Sequence, residues 1–137
     1  MDLDTGILLK DRYRISHKLG QGGMGAVYLA RDLSLDVDVA VKVRRLGGEL
    51  IGKGADGSDL FLREARLLAA LRHPNLPRVT DYFLIGDTPY LVMDYIPGED
   101  LDKLIKQQGR QPPQLVLAWA QQLGSALTYM HRQSPPV

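Results

Sequence analysis

Between residues 20 and 25 the chain reads Gly20-Gln21-Gly22-Gly23-Met24-Gly25, and on both sides of that cluster apolar and polar residues alternate. Glycines permit turns and close backbone approaches that a Cβ forbids, so such a cluster between alternating stretches reads as the tip of an antiparallel hairpin. Strands are expected near Tyr13 to Leu19, Ala26 to Arg31 and Val37 to Arg44. The cluster also matches G-x-G-x-x-G, a pattern that several folds share. In the dinucleotide-binding fold the last glycine opens a helix, whereas Ala26-Val27-Tyr28-Leu29-Ala30 continues as strand. Asp38 lies at a suitable distance for a ribose-binding acid, the best point for a dinucleotide-dependent oxidoreductase, but the strand runs through it. A glycine hairpin tip can bring backbone N–H groups against phosphate oxygens, with Val27 beside them to cap an apolar base. The plainer alternative is a tight turn with no ligand.

Beyond the third strand, five glycines in the eleven positions 47–57 mark a loop. Ser58 offers an N-cap with Asp59 in the first turn, a helix is expected over Leu60 to Arg72, and His73-Pro74-Asn75 stops it. Two further strands are expected near Val79 to Ile85 and Tyr90 to Tyr95, joined by Gly86-Asp87. After Pro97-Gly98 the pattern becomes helical: Leu101 to Gln108, ended by Gly109, then a longer helix from Pro112-Pro113 to about Arg132. Its stripe of Leu115, Trp119, Leu123, Leu127 and Met130 reads as core packing. The order is strands, helix, strands, then helices alone, an α+β arrangement with a two-lobe division at Pro97-Gly98.

Composition narrows the chemistry. The chain of 137 residues is 45% apolar and 24% charged with a formal net charge of +1, the range of an ordinary globular domain. It has no cysteine, which removes disulfides, thiolate metal sites and thiol nucleophiles, and three scattered histidines make no metal site. Near-neutral charge without a basic run argues against a nucleic-acid surface. The longest apolar run, Leu115 to Ala120, is far shorter than the ~20 residues a membrane helix needs. No membrane contact is expected from this segment, and a cytoplasmic location is.

Within Val39-Ala40-Val41-Lys42-Val43 the period of two puts the valines on one face and Ala40 with Lys42 on the other. An inward lysine needs an anionic partner, the alternative being a strand-edge lysine that snorkels to water. Positions 60, 64, 67, 68 and 71 form one stripe of the first helix, apolar except at Glu64, and an inward acid is costly unless paired. A Lys42–Glu64 ion pair is therefore expected, with Lys42 placing phosphates and Glu64 fixing its rotamer.

Assembled in order, these residues resemble the first half of a eukaryotic-like serine/threonine protein kinase, most closely the bacterial members. The G-x-G-x-x-G-x-V loop stands as Gly20, Gly22, Gly25 and Val27, the V-A-x-K strand as Val39, Ala40 and Lys42, the helix glutamate as Glu64, and H-P-N as His73-Pro74-Asn75. Tyr90-Leu91-Val92-Met93-Asp94-Tyr95-Ile96 looks like the segment linking the lobes. The resemblance covers about Tyr13 to Val137. It implies a kinase N-lobe, a five-stranded antiparallel sheet with one helix, followed by a partial helical C-lobe: 1–12 an N-terminal extension, 13–96 the nucleotide-binding lobe, 97–137 the hinge exit and first C-lobe helices. It implies that Leu19, Gly20, Gly22, Gly25, Val27, Ala40 and Lys42 line an ATP site. In that site Met93 gates the back pocket, the Asp94 carbonyl and Ile96 N–H meet adenine, and Asp100 meets the ribose.

The same resemblance implies an absence. No H-R-D-x-x-x-x-N, D-F-G or A-P-E occurs in the 137 residues, and His131-Arg132-Gln133 lacks the acid and ends a helix. The isolated chain is expected to be inactive, with no metal site of its own, and Mg is expected only with the complete enzyme. The alternative is a non-catalytic kinase-like binding or regulatory module. In either case Trp119 and Leu123 should leave apolar surface for the missing catalytic half or a protein partner, and the parent could be membrane-anchored, as bacterial relatives are.

Overall fold

The computed structural model of the chain describes residues 3–22, 25–44 and 56–137. Its elements are β1 (Leu8–Leu9), β2 (Tyr13–Gly22), β3 (Gly25–Asp32), β4 (Val37–Arg44), α1 (Asp56–Ala70), β5 (Val79–Ile85), β6 (Thr88–Asp94), α2 (Leu101–Gln108) and α3 (Pro113–His131). All six strands form one antiparallel sheet in the order β1-β2-β3-β4-β6-β5. The five expected strands are present, with β1 as a short sixth at the edge. The expected glycine-rich loop lies outside the described residues as far as 55, and α1 begins at Asp56 instead of after Ser58. The tip residues Gly23 and Met24 also lie outside the described residues.

Two compact units divide the chain: Met1–Ala70 with Arg78–Tyr95, and Leu71–Pro77 with Ile96–Val137. In the first, period-two alternation does what it should. Val39, Val41 and Val43 join Tyr13, Ile15, Tyr28, Phe83, Tyr90 and Val92 in one apolar core. Phe83 stacks between Tyr13 and Tyr90, with ring centroids 5.9 and 5.3 Å away. Residues ahead of β2 are tied to this core: Leu9 is buried in it, the Leu3 N–H donates to the Tyr28 hydroxyl, and Lys10 Nζ lies 3.0 Å from Asp81. Burial and the hydrogen bond it donates to Asp81 push the Tyr13 phenol well above its ordinary range.

Asp32, the last residue of β3, is the buried charge among the described residues. Arg12 holds it with two parallel bonds, Nε to Oδ1 at 2.9 Å and Nη2 to Oδ2 at 2.7 Å, and Oδ1 also accepts from the Ser34 and Leu35 N–H groups that begin the turn into β4. Bidentate charge-assisted bonding is the arrangement in which a buried carboxylate is stable. The Arg12 hydrogen bond holds the Asp32 carboxyl below the usual carboxylate range, against the opposing effect of burial.

In the second unit, Asp100 caps α2 by accepting from the Lys103 N–H, and Pro113 opens α3. The expected core stripe of α3 is not a core here. Ala126 is the buried residue of this helix, while Leu115, Leu117, Leu123 and Leu127 are exposed, because the described residues supply no apolar layer against them. No helix among the described residues is long and apolar enough to cross a membrane.

Asp32→Asn should lower unfolding free energy by about 2 kcal/mol at neutral pH, since the amide offers Arg12 one neutral acceptor in place of two charged ones and sets its NH2 against a donor. A depressed folded-state pKa makes this contribution fully present above about pH 4 and lost as pH falls further. Urea denaturation at pH 7 and pH 3 should therefore show a variant deficit that shrinks in acid.

Candidate functional site

Sheet register, more than any single contact, assembles the candidate site. Val27 pairs with Lys42 and Lys42 with Leu91; two residues along, Leu29 pairs with Ala40 and Ala40 with Met93. Directly opposed residues of antiparallel strands share a face. Val27, Leu29, Ala40, Lys42, Leu91 and Met93 thus stand together on the face opposite the Val39-Val41-Val43 core. Gly20 pairs with Val27 at one edge of this array, and Gly22 pairs with Gly25, which pairs with Arg44.

Gly25 is the position where glycine is indispensable. Its φ is +133°, and a Cβ there would lie 2.0 Å from the Val43 carbonyl oxygen. Gly20 and Gly22 meet no such obstacle. The glycines therefore divide into one that the fold requires and two that leave open space at the hairpin.

Each of the other expected site residues has its own setting. Leu19 falls at the bulge between Lys18 and Gly20, outside the paired rows. Asp94 clasps the chain entering β5: its N–H donates to the Arg78 carbonyl and its Oδ2 accepts from the Arg78 N–H. Ile96 and Asp100 belong to the second unit, where Ile96 is exposed and the Asp100 carboxylate caps α2. Asp38 pairs with Arg31 at 3.0 Å, and Gly25 opens a strand and not a helix, so neither support for a dinucleotide fold survives.

Glu64 requires a correction. Its carboxylate is not inward and does not meet Lys42: the side chain is 52% exposed, and Oε2 lies 2.7 Å from Arg44 Nη1. The physical reason is the phase of α1. Ala65 is buried and Leu68 half-buried, whereas Leu67 of the expected stripe is exposed, so the inward face is centred on Ala65 and Leu68 and Glu64 stands at its border, within reach of a cation and of water. Arg44 is the residue that sequence reasoning missed, although its signal was available: it lies two positions beyond Lys42, on the same face of β4. Lys42, Arg44 and Glu64 nevertheless line one cavity of about 110 Å³, together with Ala65, Leu68 and Leu91. A half-exposed pair such as Arg44–Glu64 contributes about 0.5 kcal/mol.

A larger open cavity, about 460 Å³, lies in the second unit against α3. Three of its polar side chains have partners: His73 Nδ1 accepts from the Asn75 N–H, His73 Nε2 lies 3.0 Å from Ser125 Oγ, and the Tyr129 hydroxyl accepts from the Arg72 N–H. His73 thus anchors the turn after α1, a helix-end role. His17 is exposed beside Ser16.

Residues 13–134 match the protein kinase domain, and the chain belongs to that family. It is 40% identical over 125 residues to the serine/threonine-protein kinase pkn2 of Myxococcus xanthus, covering 91% of this chain and 15% of that protein. It is 38% identical over 128 residues to the serine/threonine-protein kinase PknB of Mycobacterium leprae, covering 90% of this chain and 20% of that protein. Among solved structures, the PknI kinase domain of Mycobacterium tuberculosis, as a double mutant, superimposes with a TM-score of 0.80 at 27% identity, covering 96% of this chain and 51% of that one. The chain thus spans a fifth or less of these curated relatives and about half of the solved kinase domain.

Gly25→Ala should cost about 2 kcal/mol or more, from a strained φ and a carbonyl that must move. Gly22→Ala, in open space, should change stability by less than about 0.5 kcal/mol. Thermal melting of the two variants side by side checks the difference, and equal losses would refute it.

Proposed function

We propose that this chain is the ATP-binding part of a serine/threonine protein kinase, which in the complete enzyme transfers a phosphoryl group from ATP to a protein serine or threonine hydroxyl. The observation that carries the reading is the shared face on which Val27, Ala40 and Met93 gather around the Lys42 ammonium beside the glycine hairpin. Such a face suits a flat base against Val27, Ala40 and Met93, phosphates near Lys42, and backbone N–H groups at Gly20 and Gly22. Leu19 and Asp94 join it as the resemblance implies, with residues 13–96 as the nucleotide-binding lobe and 97–137 as the hinge exit and first helices of the second lobe. The curated relatives are named serine/threonine-protein kinases, which supports the acceptor class, and a cytoplasmic location goes with that reading.

Phosphoryl transfer depends on positioning and on charge stabilisation by metal ions, and the sequence holds no H-R-D or D-F-G to supply either. The 137-residue chain by itself is accordingly an ATP binder without turnover. A second reading, a non-catalytic binding module, is favoured by the exposed leucines of α3, Leu117 at 60% and Leu123 at 58%.

Calorimetry with ATP should show weak binding that falls about tenfold in Lys42→Ala, the equivalent of one charge-assisted hydrogen bond. Unchanged affinity would remove Lys42 from the site, and a folded chain that ignores ATP would favour the second reading. With magnesium, labelled ATP and a generic protein substrate, no transfer above background is expected; turnover that disappears in Lys42→Met would overturn the claim of inactivity.

A further inference from the structure

We propose that Arg44 is a positioning residue that competes with Lys42 for the carboxylate of Glu64, so that the cavity between β4 and α1 has two ion-pair arrangements. The proposal rests on the ATP-binding reading for its consequence, and on geometry alone for its premise. One carboxylate and two cations line a single small cavity. Lys42 and Arg44 are two residues apart on one strand and therefore point to the same side. Glu64 stands on α1, across the cavity from both, and in this structure it is given to Arg44.

A single Glu64 carboxylate, at the border of the inward face of α1, cannot neutralise both cations fully. An exposed ion pair is weak and exchanges readily. When Arg44 holds Glu64, the Lys42 ammonium keeps its charge for phosphate but its rotamer is not braced by an acid. When Lys42 holds Glu64, the ammonium is fixed in place and Arg44 turns to water. Arg44 thus sets how much of the population has Lys42 braced by Glu64.

The test reads Lys42 directly. A soluble amine-reactive ester labels lysines through their free amine, and a lysine held by a carboxylate reacts more slowly; peptide mass spectrometry resolves residue 42. In the 137-residue chain without nucleotide, Arg44→Gln should slow labelling of Lys42 at least threefold by releasing Glu64 to it. Glu64→Gln in the Arg44→Gln background should restore the original rate, and Arg44→Lys, which keeps a cation opposite Glu64, should stay within twofold of the unaltered chain. Arg44→Ala provides the same reading if the glutamine variant does not fold. A Lys42 rate that ignores Arg44, or one that rises on Glu64→Gln alone because Glu64 already holds Lys42 in solution, overturns the proposal. Adding ATP separates the two claims: absence of protection at Lys42 by ATP strikes the ATP-binding reading, while the nucleotide-free cycle alone decides the role of Arg44.

Discussion

At Gly25 the backbone passes so close to the Val43 carbonyl that no side chain can stand between them, and the arrangement of the first unit depends on that approach. It sets Gly25 opposite Arg44, and from there every pair along β3 and β4 is counted: Val27 against Lys42, Leu29 against Ala40. A slip of one residue would turn the whole strand over, sending Lys42 into the Val39-Val41-Val43 core and the valines to the opposite face. Register here is thus enforced twice, by sterics at the hairpin and by the free-energy penalty of burying an ammonium among aromatic rings.

At the far end of the same hairpin the constraint is electrostatic. Asp32 accepts both Arg12 bonds and the first N–H groups of the β3–β4 turn, so one carboxylate joins the chain ahead of β2, the end of β3 and the turn into β4. Between these two fixed ends the strands carry Val27, Ala40 and Lys42 with little freedom. Glu64 is different in kind, being borne by a helix and held through a half-exposed pair. Groups on the sheet are positioned by ladder hydrogen bonds, whereas the group on α1 is positioned by whichever cation it meets.

The sheet was legible because its signals are local and redundant: alternation, glycine punctuation and valine-rich runs all point the same way. The Lys42 face followed from period two alone. The phase of α1 did not, because leucines and alanines occur all round that helix and a stripe through 60, 64, 67, 68 and 71 fits nearly as well as the true one centred on Ala65 and Leu68. That small rotation moved Glu64 from the interior to the border and changed its partner. β1 has two residues, too few for any period, and its pairing with β2 comes from the chain reversing at Lys10 and Asp11, both at positive φ. In α3 the leucine spacing announced an apolar face correctly but could not say what covers it.

Membership of the protein kinase family gives the face a context, yet the chemistry of the residues on it sets its own limit. On the proposed reading, Lys42 and the N–H groups of Gly20 and Gly22 are donors to phosphate oxygen. Donors of that kind hold a nucleotide, and they raise the rate only to the extent that they meet the charge of the transition state better than that of the ground state. Acceleration needs groups that act only as the bond changes: an acid to orient the attacking hydroxyl and metal ions bridging the charge that develops. None of the motifs that would carry them occurs between residues 1 and 137. Holding and transferring a phosphate therefore fall to different kinds of group, and on that reading the sheet face carries donors of the first kind.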